Sequence, residues 1–123
     1  MSKARRSIDL PTSGWRPGEP GLLARMVGVL DGGVGLDGRY YVWVESGGVR
    51  THVRWPVGFV ARFDPLEVVD RDGNVMAREG DVIQVAGGAG TADPAIAEAV
   101  GASRVFVVHS MPAVLRPQQL PDS

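Results

Sequence analysis

The sequence contains no cysteine, which excludes disulfides, a thiol nucleophile and a thiolate metal site. Lysine is nearly absent: Lys3 is the single lysine among 13 basic residues. Net charge is nearly absent as well. The 13 basic residues against 14 acidic ones leave −1, with a pI of about 6.1. A bulk nucleic-acid coat needs a strong positive excess to displace counterions, so that class is disfavoured. Long apolar runs are missing. The greasiest stretches are Val105–Val108 and Leu22–Leu30, the latter broken by Arg25, and neither approaches the roughly 20 residues that span a bilayer. Lys3, Arg5 and Arg6 are not followed by an apolar segment, so no secretory signal peptide is expected. These absences predict a cytoplasmic chain with no membrane contact. At 123 residues it is one domain, long enough to close a core without covalent staples.

What the chain does have is turns. Its 17 glycines and 9 prolines punctuate short β-branched or alternating runs. Strands are predicted over 24–31, 39–46, 49–55, 66–70, 75–78, 81–86 and 104–109, with a flexible turn at Asp31–Gly35 and a hairpin at Asp70–Asn74. One short, late helix is predicted: Asp93 suits the N-cap, Pro94 the first helical position, and Gly101 the C-terminal stop. The expectation is an all-β fold, a small OB-like β-barrel over 21–111, with an SH3-like barrel or small sandwich second. Residues 1–20 read as an irregular N-terminal arm and 112–123 as a Pro-rich tail, each ordered only where something holds it.

The most informative segment is Tyr40–Trp55. A two-residue Gly47-Gly48 loop pairs Ser46 with Val49, Glu45 with Arg50, Val44 with Thr51 and Trp43 with His52. The register continues through Val42 with Val53, Tyr41 with Arg54 and Tyr40 with Trp55. Alternation then assigns Tyr40, Val42, Val44, Thr51, Val53 and Trp55 to the core. The opposite face carries Tyr41, Trp43, Glu45, Arg50, His52 and Arg54. Aromatic rings beside cations offer stacking and anion contacts, the pattern by which OB barrels bind oligonucleotides or glycans. The same composition suits an interface, so the face is expected to be covered by the N-terminal arm (through Leu10 and Trp15) or by a second copy, or else to bind a ligand.

The stretch Trp55-Pro-Val-Gly-Phe-Val-Ala-Arg62, with Val68–Asp81 and Gly87-Gly88 beyond it, resembles a group of small actinobacterial β-barrel proteins of unassigned function. The resemblance spans about Tyr40–Gly88. It carries no catalytic residue over, and the lipid-attachment cysteine of many relatives has no counterpart here. Heavy use of Arg, Gly, Ala and Val also suits a bacterial chain. Phe59 is expected to plug the barrel. Arg62 is expected to pair with Asp64 or Glu67, or to contact a ligand.

No catalytic residue, metal site or cofactor is assigned. His52 and His109 lack metal-ligand spacing, and Asp70–Asn74 has the wrong glycine position for a calcium loop. Gly87–Gly90 before the helix lacks the Lys-Ser/Thr of a phosphate loop. The candidate binding residues are Tyr41, Trp43, Arg50, His52, Arg54 and Arg62. The expected function is a non-enzymatic interaction module whose partner is itself or another protein. The alternative is an OB-type domain for single-stranded nucleic acid or another anionic or glycan ligand, and an unrecognised enzyme is the third reading.

Overall fold

A computed structural model of the protein describes residues 6–116. The strands are β1 (Ser7–Asp9), β2 (Ala24–Val34), β3 (Tyr40–Ser46), β4 (Val49–Arg54), β5 (Val60–Arg62), β6 (Glu67–Val69), β7 (Val75–Arg78), β8 (Val82–Ala89), β9 (Arg104–Val108) and β10 (Ala113–Val114); the helix α1 (Pro94–Val100) lies between β8 and β9. β2, β3 and β4 form an antiparallel meander. β4 pairs with β9 in parallel, β9 pairs antiparallel with β8, and β8 returns to β2, closing a five-stranded barrel. The fold is therefore a small all-β barrel with one short helix. β2 pairs with β8 over Ala24–Val29 and with β3 over Val29–Val34, the stagger that a closed barrel requires.

A second sheet, ordered β1-β5-β6-β7, packs against one end of the barrel and shares its core. Leu30, Val44, Val53, Trp55, Ile83 and Val108 are fully buried there. Phe59 joins them, its ring stacked on Trp55 with centroids 6.1 Å apart. Between β6 and β7, Asp70 accepts from the backbone N–H groups of Asp72 and Asn74, each at 2.9 Å. Burial opposes ionisation of this carboxyl, but the hydrogen bonds from Asn74 and its neighbours outweigh it and lower the pKa. The carboxylate thus serves its own turn, and no group of three or more metal-ligating side chains occurs among the described residues.

The expected strands of the barrel and the helix all form, with ends shifted by a few residues. Gly47 and Gly48 both take positive φ, 57° and 78°, as the hairpin loop demands. Three differences stand out. Asp31–Val34 continues β2 where a turn was expected, because Gly32 serves close approach: a Cβ there would lie 2.8 Å from the Tyr41 carbonyl oxygen. The real turn follows at Asp37-Gly38. Second, the arm is held along much of its described length: β1 pairs with β5, Leu10 enters the core, and Pro11 and Ser13 exchange backbone bonds with Trp55. Third, Ala113–Val114 of the tail pairs with Gln84 and Ile83 of β8. Residues 117–123 of the tail and 1–5 of the arm lie outside the described residues.

Closure sets a sharp test on adjacent glycines. A Cβ on Gly87 would sit 1.8 Å from the Val107 carbonyl oxygen, across the β8–β9 seam. A Cβ on Gly88 would meet the tip of exposed Leu22 instead, at 2.5 Å. Gly87→Ala is expected to cost about 3 kcal/mol or more, because backbone must move, whereas Gly88→Ala is expected to cost under about 1 kcal/mol. Urea denaturation of both variants measures the contrast.

Candidate functional site

The β3–β4 register is the expected one from Ser46–Val49 through Trp43–His52. The outward face it creates is covered, and the cover is α1. Trp43 is buried in a small cluster with Ala99, Val100 and Ala102, flanked by Tyr41 and Ile96. The described part of the arm packs elsewhere: Leu10 lies in the barrel core, and the Trp15 indole N–H donates to the Glu19 carbonyl. Consecutive residues of β3 and β4 are therefore buried on both faces, with Val42, Trp43 and Val44 opposite Thr51, His52 and Val53.

Arg50 fastens this cover. Its guanidinium lies 4.5 Å from the Trp43 ring centroid and donates to the Val100 carbonyl oxygen at 2.9 Å. α1 has no basic residue in its last turn, so an arginine from β4 supplies the cation that a helix C-terminus favours. The Leu36 N–H donates to the Ala99 carbonyl at 2.9 Å, docking the β2–β3 loop on the same helix end. In that loop the Tyr41 hydroxyl donates to the Asp37 carboxylate, which lowers the Asp37 pKa and raises that of Tyr41.

His52 is buried, 3% exposed, beneath this layer. Burial lowers its pKa, Arg54 pushes the same way, and Asp93 opposes both. Tyr41, Trp43, Arg50 and His52 are thus brought together, with half-buried Arg54 beside His52. Arg62 is not among them. It lies on β5 in the second sheet, between Ser7 and Glu67 in register, while the Glu67 carboxylate accepts from Arg78 at 3.2 Å. The Gly87–Ala89 stretch belongs to a paired strand, and the Asp93 side chain accepts from Ala95 N–H as an N-cap.

An opening at the barrel's other end was not anticipated. A cavity of about 610 Å³ is lined by Ala24, Met26, Ser46, Thr51, Ala89, Arg104 and Phe106 among others. Interior-facing rows end in small side chains at the mouth on β2, β3 and β8, while β9 ends in Phe106 and Arg104. β2 runs Leu30, Gly28, Met26, Ala24; β8 runs Ile83, Val85, Gly87, Ala89; β3 runs Val42, Val44, Ser46. Large side chains fill the end next to the second sheet, and small ones leave the mouth open. The linker carrying α1 forms part of the rim through Gly90, Ala92 and Ser103. The taper was present in the sequence. It becomes meaningful only when distant strands are paired, since Thr51 stands beside Arg104 across a parallel ladder.

The buried imidazole sets a pH dependence. Below its ordinary pKa of about 6.5 the unfolded chain takes up a proton that the folded chain resists. Stability is expected to fall as pH drops from about 7 toward 5, and His52→Gln is expected to flatten that slope. Urea midpoints of both proteins across this range provide the measurement. Comparison of the chain with protein-family models, with curated proteins and with solved structures finds no match in any of the three.

Proposed function

We propose that the protein is a non-enzymatic binding module, an OB-like barrel that takes a small molecule in its open mouth. The observation that carries this reading is the cavity itself. Its volume of about 610 Å³ falls in the range of small-molecule sites, and barrel mouths are a preferred place for them. Apolar walls from Met26, Val105 and Phe106 with hydroxyls from Ser46, Thr51 and Ser103 suit such a site. A nucleic-acid reading through the Arg/aromatic face has less support, because Trp43 is covered by α1. A cytoplasmic setting and kinship with the small actinobacterial barrels belong to the same proposal.

Self-association is the second reading, favoured by Leu22 and Leu23, which are adjacent and 55% and 85% exposed. Light scattering at high protein concentration decides it: a strict monomer removes it.

The mouth reading is tested with N-phenyl-1-naphthylamine, a neutral apolar fluorophore. Its binding is expected to shift amide resonances of Thr51, Ala89 and Phe106. Ala24→Phe and Ala89→Phe, at exposed lining positions, are expected to weaken binding about tenfold or more while leaving the fold intact. Shifts confined to other regions, or plugged variants that bind as the parent does, would discard the reading.

A further inference from the structure

We infer that the ligand of the barrel mouth is a small amphipathic anion, with an apolar body inside the barrel and a carboxylate or phosphate at the rim. The inference rests on the mouth being a binding site and adds the chemistry of what enters it. Alternation along β9 places Arg104 on the same face as Phe106 and Val108, both part of the barrel core. Arg104 is the last interior-facing position before the opening, and it is exposed. Its in-register neighbour on β4 is Thr51, which is buried and lines the same cavity.

The charged residues that line the cavity are Arg25 and Arg104, with no carboxylate among the lining residues. In a chain of net charge −1 that is a local imbalance. Neither guanidinium forms an ion pair with the described residues. Arg50 offers the contrast: it is stacked on Trp43 and donates to the Val100 carbonyl, so the fold already engages it. Arg104 keeps its planar fork of donors, which matches a carboxylate or phosphate.

The polarity is graded along the cavity. Ser46, Ser103 and Arg104 are exposed at the opening, the Thr51 residue lies deeper, and Met26 and Phe106 meet the core. A molecule polar throughout would leave groups unsatisfied against Met26 and Phe106. A wholly apolar one would leave the arginines unused. An amphipathic anion satisfies both ends.

The test compares two probes sharing one ring system. 8-Anilinonaphthalene-1-sulfonate is N-phenyl-1-naphthylamine with an added sulfonate. The anion is expected to bind about tenfold or more tightly than the neutral probe. Arg104→Gln is expected to weaken the anion far more than the neutral probe, so that most of the difference between them is lost, and Arg104→Lys to restore part of it. Displacement of the bound anion by decanoate and by decyl phosphate identifies the head group preferred, with decanol as the neutral control. Equal binding of the two probes, or displacement by decanol as effective as by either anion, overturns anion recognition while leaving the mouth a binding site. No binding of either probe removes both readings. Circular dichroism of each variant establishes that the barrel is intact, and position 104 is exposed enough to tolerate substitution.

Discussion

Closing five strands into a barrel requires β8 to turn from β2 toward β9, and it does so where Gly87 lies against the Val107 carbonyl with no room for a side chain. Everything distinctive about the molecule follows from that seam. β9 fills the gap between β8 and β4, and it must run parallel to β4 to do so. A parallel neighbour cannot be reached by a tight hairpin, so the chain needs an excursion, and α1 is that excursion. Its route takes it across the outside of β3 and β4, where Trp43 receives it. The same linker returns along the rim of the mouth. Barrel closure, the covered face and the open mouth are consequences of one connection.

The covered face shows how a surface of rings and cations can be structural. Trp43 supplies the area that a seven-residue helix could not bury by itself. Arg50 then satisfies a carbonyl at the helix end and lies over the indole, replacing a ligand's charge with a backbone dipole. The arrangement is not free of cost. The Trp43 indole N–H is buried with no partner among the described residues, and His52 is held against protonation. The unpaired indole N–H costs about 1–3 kcal/mol and is offset by the apolar area that α1 covers, whereas the imidazole costs stability only at pH values where the unfolded chain would take up its proton.

Much of the fold was legible in the sequence, for local reasons. Gly47-Gly48 between alternating runs specified the hairpin and its register, and Asp93, Pro94 and Gly101 marked the helix. β1, β5 and β10 were not legible because two or three residues carry no usable period, and they form only because a partner strand is already in place. Alternation also identified the Tyr41–Trp43–Arg50–His52 face correctly as a unit, but not what covers it. Alternation reports which residues share a side of a sheet; what lies over that side depends on a helix some fifty residues away whose apolar surface, Ile96, Ala99 and Val100, is too short to declare itself. The mouth was illegible for a related reason. Its residues come from β2, β3, β4, β8, β9 and the linker around α1, in short clusters such as 24–27 and 103–106 that no single local window brings together.

The size taper inside the barrel is where stability and binding pull apart. A core optimised for stability alone would carry Leu or Ile at positions such as Ala24 and Ala89, as it does at Leu30 and Ile83 six positions away on the same strands. Because the mouth is open to solvent, the cavity penalty of a sealed void does not arise. What remains is the smaller cost of leaving the outer edges of Met26 and Phe106 wet. An apolar ligand body recovers that cost on entry, and the hydrophobic term it gains is the one the fold leaves unused. The arginine at the rim fits the same logic. A guanidinium at the end of an interior-facing row adds nothing to packing, yet it is placed where an anionic head group would stand once the body of the ligand has taken the space that the small side chains leave.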